Sequence, residues 1–160
     1  MNMRERSGAI LLLLCLTASA YAKVATVQEW DADWKLTMQA YTFNHFTFFE
    51  AVDKTASLGL RYIEAYPGQK LSAELGDAAF HHNMSQAERQ AAIRKLQSAG
   101  VRLVNYGVVG LPNDEAECRK VFEFAKAIGI RTIASEPPED AFDLIEQLVK
   151  EFDIQVAIHN

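Results

Sequence analysis

Short apolar runs alternate along the chain with longer stretches in which apolar side chains recur every three or four residues, the mark of buried strands interleaved with amphipathic helices. Leu36-Thr37-Met38-Gln39-Ala40-Tyr41-Thr42-Phe43 predicts a first strand, and Phe48 to Leu58 predicts the helix that follows it. Tyr62 to Tyr66 predicts a second strand, closed by a turn at Pro67-Gly68. Val101 to Tyr106, Ile130 to Ala134 and Ile154 to Ile158 predict three more. The capping box Ser85-Gln86-Ala87-Glu88 opens a helix that ends at Gly100. Pro112-Asn113-Asp114-Glu115 starts another, running to Ile128, with its acids at the positive end. Pro137-Pro138-Glu139-Asp140 starts the last, whose Ala141, Ile145, Leu148 and Phe152 fall on one stripe. The polar, mixed stretch from Gln69 to Met84 predicts an insertion above the sheet with no element of its own.

The joints between helix and strand repeat almost word for word: Leu58-Gly59-Leu60-Arg61-Tyr62-Ile63, Ala99-Gly100-Val101-Arg102-Leu103-Val104 and Ile128-Gly129-Ile130-Arg131-Thr132-Ile133. Glycine just past a helix supplies a left-handed cap, and the apolar run behind it enters a buried strand. A fourth joint, Phe152-Asp153-Ile154, keeps the pattern with Asp153 in the glycine's place. Strands alternating with helices give an α/β fold with a parallel sheet, and such sheets hold their ligands at the strands' C-terminal ends. The sequence stops two residues beyond the fifth strand, which leaves either an open five-stranded sheet or an unfinished one.

Residues 1–22 stand outside this pattern. Arg4 and Arg6 precede an apolar run from Ala9 to Leu16, and Ala20-Tyr21-Ala22 offers small residues at a cleavage point. These features predict a secretory signal peptide cleaved near Ala22, hence a secreted or periplasmic protein with no stable membrane anchor. The apolar run is far shorter than the roughly 20 residues that span a bilayer. Residues 23–34 form a polar leader, and 35–160 one domain. Cleavage leaves Cys118 as the one thiol, so no disulfide can form within the mature chain. Loss of Arg4, Glu5 and Arg6 takes the net charge from −5 to −6. An acidic domain without a basic run or interleaved aromatics excludes nucleic acid as the expected partner.

Polar and ionisable residues recur at the predicted strand ends: Asn44 and His45, Glu64 and Tyr66, Asn105 and Tyr106, Ser135 and Glu136, His159 and Asn160. Carboxylates, imidazoles and amides around one mouth suit a divalent metal and a polyhydroxylated substrate, which need hard oxygen and nitrogen ligands and partners for hydroxyls. Arg61, Arg102 and Arg131 offer Glu64 and Glu136 an alternative role as salt-bridge partners. His81 and His82, adjacent in an extended segment, should point apart, which keeps them out of the site.

Thr47-Phe48-Phe49-Glu50-Ala51, the phrase Leu58-Gly59-Leu60-Arg61-Tyr62-Ile63-Glu64-Ala65-Tyr66-Pro67-Gly68-Gln69 and the closing Ala157-Ile158-His159-Asn160 resemble the sugar phosphate isomerase/epimerase family, with its xylose isomerase-like barrel. The resemblance runs from about Leu36 to Asn160 and implies a partial (β/α)8 TIM barrel with the first five strands present, an N-terminal portion expected to be inactive alone. Its bare last strand, without a gatekeeping charge or proline, predicts that the isolated portion is poorly stable or associates into a homo-oligomer. The resemblance implies a divalent metal, Mn, Co, Zn or Mg, with His159 as a ligand and most other ligands beyond Asn160. It implies catalytic roles for Glu136 and Glu64, and substrate contacts from His45, Tyr66, Asn105 and Asn160. Many relatives carry Glu where this chain has His159. The implied chemistry is a metal-assisted proton shift next to a carbonyl. Export favours a free sugar, keto-sugar or glycoside over a phosphorylated one, and Gly107-Val108-Val109-Gly110 lacks the lysine of a phosphate loop. A 3-keto-glycoside lyase, a non-catalytic carbohydrate-binding barrel and an endonuclease IV-like enzyme are the alternatives, the last disfavoured by the negative charge.

Overall fold

The computed structural model describes residues 35–160. In chain order its elements are β1 (Thr37–Gln39), α1 (Phe48–Ser57), β2 (Tyr62–Ala65), the short strands β3 (Gln69–Lys70) and β4 (Ala79–Phe80), α2 (Gln86–Ala99), β5 (Arg102–Tyr106), α3 (Glu115–Ile128), β6 (Thr132–Ser135), α4 (Phe142–Phe152) and β7 (Gln155–Ile158). β1, β2, β5, β6 and β7 form one parallel sheet in that order, and β3 pairs antiparallel with β4. Each long strand lies beside the next one in sequence, with no reversal of order. A doubly wound sheet reverses; a barrel wall does not. The sheet stays open, with β1 and β7 as its edges.

Alternation along the strands separates two faces. In β2, Ile63 and Ala65 are buried while Tyr62 and Glu64 are half-buried; in β6, Ile133 and Ser135 are buried while Thr132 and Ala134 are half-buried. α1 packs on β2, α2 on β5 and α4 on β7, covering the buried set. An aromatic cluster centres that core: Phe48 lies 4.4 Å from Phe80 between ring centroids, Phe80 5.8 Å from Phe124, and Phe124 5.2 Å from Tyr106. Polar clamps tie neighbouring helices together. Arg119 of α3 reaches both carboxylate oxygens of Glu151 on α4, and Lys95 of α2 pairs with Asp53 of α1.

The joints take the conformations their sequence demands. Gly59, Gly100 and Gly129 have φ of 77°, 66° and 83°, and Asp153 adopts the same left-handed region at φ 55°. Asp153 is the one non-glycine residue with positive φ among the described residues. The predicted capping box is present, with Ser85 N donating to Glu88 Oε2 at 2.7 Å and Glu88 N to Ser85 Oγ at 3.3 Å. A second one, Thr47 with Glu50, starts α1. The signal segment and leader lie outside the described residues, among which no helix is long and apolar enough to cross a membrane.

Three expectations are corrected. The first strand does not run to Phe43. It ends at Gln39, whose Oε1 accepts from Tyr41 N at 3.0 Å and turns Ala40–Phe43 into one 3₁₀ turn. The insertion from Gln69 to Met84 is not without elements: it folds into the β3–β4 hairpin because Leu71 and Phe80, both 0 % exposed, plug into the core. His81 and His82 do not point apart. They follow β4 in a turn, their rings stack at 3.9 Å, and His82 Nδ1 sits 3.2 Å from Tyr106 Oη.

Candidate active site at the strand ends

The face that no helix covers carries a polar layer across three strands. Register places Gln39 beside Glu64, and Glu64 beside Asn105. Gln39 Nε2 donates to Glu64 Oε1 at 2.6 Å, and Asn105 Nδ2 donates to Oε2 at 3.1 Å. The second contact depends on an irregularity in the ladder. Ile63 pairs with Leu103, yet Glu64 pairs with Asn105, so Val104 is an extra residue on β5. In unbroken register Val104 would stand beside Glu64; the bulge re-aims the amide onto the carboxylate. Both oxygens of Glu64 are thus held by neutral donors, which fix the group without neutralising its charge.

Two residues beyond Glu64, just past the end of β2, Tyr66 meets Tyr41 edge to face at 5.1 Å between centroids. Burial, and next Tyr41, push the Tyr66 hydroxyl above the ordinary phenol pKa. Gln39 couples this pair to the layer below, since its Oε1 holds the Tyr41 amide while its Nε2 holds Glu64. A second polar pair stands at the ends of β6 and β7. His159 Nδ1 lies 2.5 Å from Glu136 Oε1, and His159 N donates to Ser135 O at 2.9 Å, extending the β6–β7 ladder by one bond. Ser135 itself is 0 % exposed and its Oγ has no partner.

The structure therefore brings Glu64 and Asn105 together, and Glu136 and His159 together. His45 and Asn160 are exposed and join neither group. Neither Glu64 nor Glu136 makes a salt bridge to the repeated arginines: amides hold one and an imidazole the other. Gln39 and Tyr41 are the residues sequence reasoning missed. Their signal was position alone, at the end of a strand taken to run four residues longer.

The donor set bears on metal binding. Glu136 on Nδ1 of His159 leaves Nε2 outward, the arrangement by which a carboxylate orients a ligating imidazole. That supplies one oriented donor. No group of three or more His, Cys, Asp or Glu side chains is gathered among the described residues, so these residues by themselves do not fit a divalent ion that needs four to six ligands. A concavity of about 480 Å³ lies at the opposite end of the sheet, lined by Lys126, Arg131 and Asp153 among others, and shares no residue with either polar group. Helix C-termini meet strand starts there, the end of such folds that serves stability.

No family model and no curated protein matches the sequence. Solved structures do. An uncharacterised protein from Parabacteroides distasonis is 34% identical with a TM-score of 0.75, covering 81% of this chain and 54% of its own. A D-psicose 3-epimerase, determined in the presence of D-fructose, is 15% identical with a TM-score of 0.54, covering 78% and 52%. A xylose isomerase domain protein from Alicyclobacillus acidocaldarius is 17% identical with a TM-score of 0.49, covering 78% and 49%. The chain spans about half the length of each. An unreversed parallel sheet of five strands with helices packed on it is part of a barrel wall, and by fold the chain is a partial TIM barrel of the xylose isomerase-like kind, similar to about half of the D-psicose 3-epimerase.

Proposed function

We propose that the protein is an exported sugar isomerase/epimerase-like enzyme that shifts a proton next to a carbonyl of a free sugar, keto-sugar or glycoside. The observation that carries this reading is the pairing of Glu136 with His159 at the ends of adjacent strands, above a carboxylate, Glu64, held by two amides. Enolisation needs a group that takes a proton from carbon and returns it, and a carboxylate coupled to an imidazole does both. Glu136 is assigned that transfer, with His159 as its proton partner. Glu64 and Asn105 together present acceptors and donors to neighbouring hydroxyls, so they are assigned to orienting the substrate. Charge developing on the carbonyl oxygen would be met in the family by a divalent metal. The described residues do not complete its site.

The test is to assay the complete gene product for aldose–ketose interconversion and epimerisation across a panel of hexoses and glycosides, with Mn, Co, Zn and Mg each supplied. Glu136→Gln should lower kcat by about a hundredfold or more, while Glu64→Gln should mainly raise KM. Unchanged turnover in Glu136→Gln would overturn the assignment.

A further inference from the structure

The aromatic pair above Glu64 has no part in the proton shift, yet it is built into the same wall. Tyr41 is 60% exposed although its backbone is pinned by Gln39 and its ring is braced edge to face by Tyr66. A large exposed aromatic ring held from two sides keeps its orientation without burying its face. Tyr66 follows Glu64 by two residues, one beyond the end of β2, so where the chain stays extended the two side chains leave on the same side about 6.6 Å apart. Polar groups thus stand one layer in and aromatic rings one layer out. That ordering matches a ligand whose inner part presents hydroxyls to Gln39, Glu64 and Asn105 and whose outer part offers an apolar ring face. A pyranose ring has such a face, formed by its axial C–H bonds, and stacks on tyrosine as other flat apolar surfaces do.

We propose that Tyr41, braced by Tyr66, forms an outer subsite that stacks on a second ring, so that the ligand of this site is a two-ring glycoside that still carries a carbonyl, on a ring carbon or at a free reducing end, rather than a lone monosaccharide. The inference rests on the carbohydrate reading of the Glu64 layer and selects among the substrates that reading allows. One sugar ring is about as wide as the spacing between the two layers. A single ring seated on Glu64 and Asn105 therefore reaches Tyr66, and only a ligand extended by a further ring covers the open face of Tyr41.

Calorimetric titration of the metal-free complete gene product tests this without turnover. The probes are glucose, methyl glucoside, maltose, cellobiose and 4-nitrophenyl glucoside. At least one two-ring probe should bind about tenfold more tightly than the one-ring probe that matches its inner sugar. Tyr41→Ala should erase that advantage, weakening two-ring binding about tenfold more than one-ring binding, and Tyr41→Phe should retain it. Equal affinity for one- and two-ring probes, an advantage that survives Tyr41→Ala, or no binding of any probe would overturn the proposal. Failure of the proton-shift reading looks different: no turnover under any metal, with the two-ring preference intact.

Discussion

His82 makes the acid stability of the fold depend on one imidazole. Burial, and next the charge of neighbouring His81, hold its pKa down at about 4, against an ordinary 6.5; Lys120 lowers it further and Glu117 partly offsets both. Its Nδ1 lies 3.2 Å from Tyr106 Oη, and burial pushes that phenol above its ordinary range, so a protonated phenol is there to donate to Nδ1 in the tautomer that carries its hydrogen on Nε2. Protonation of His82 removes the acceptor and places a charge over the cluster of Phe80, Phe124 and Tyr106. The folded state therefore binds fewer protons than the unfolded one between pH 6.5 and about 4, and stability falls as the pH falls through that window. A shift of about 2.5 units is worth at most about 3.4 kcal/mol at 1.36 kcal/mol per unit. The ring is only partly buried, and discounting for solvent screening leaves about 1–2 kcal/mol. Urea unfolding followed by circular dichroism at pH 7 and 4.5 measures it. His82→Asn keeps an acceptor for Tyr106 and does not titrate, so it should lose about 1–2 kcal/mol less than the wild type over that interval. Equal losses in the two proteins would refute the reasoning, because the remaining carboxylates, Glu50 and Glu88 included, titrate in both.

Gly107→Ala should destabilise the chain by about 1–3 kcal/mol in the same assay, since an added Cβ would lie 2.3 Å from Ala134 O and force β5 and β6 apart at the mouth; an unchanged midpoint would show that the approach relaxes freely. Asp153→Gly should stabilise by about 0.5 kcal/mol by relieving a left-handed aspartate, and a lower midpoint would mean that the carboxylate supports its joint in another way. Asn105→Leu removes one of the two donors to Glu64 and should cost about 1–2 kcal/mol, with weakened sugar binding by titration; intact binding would separate this layer from the ligand.

Much of the fold was legible because the joints repeat. The three glycines and Asp153 fixed the helix ends, and the apolar runs behind them had no helical period. What failed were features set by few residues or by pairing. Gln39 ends β1 through a single side-chain hydrogen bond, which a β-branched, alternating stretch conceals. The β3–β4 hairpin hangs on Leu71 and Phe80, two apolar residues in a polar segment, too few to make a period. The site was half-legible for the same reason. Glu64, Asn105, Glu136 and His159 could be picked out as strand-end residues, but which of them meet depends on register. The bulge at Val104 that turns Asn105 toward Glu64 leaves no trace in one sequence.

Proton exchange at the substrate carbon tests the central claim most directly. The complete gene product, supplied with Mn and incubated in D₂O with the best-binding reducing sugar or keto-glycoside, should wash deuterium into the carbon next to the carbonyl, seen as loss of its proton NMR signal, and Glu136→Gln should abolish it. Retention of that proton by a bound substrate, under Mn, Co, Zn and Mg alike, would contradict the account and leave a carbohydrate-binding barrel without the chemistry.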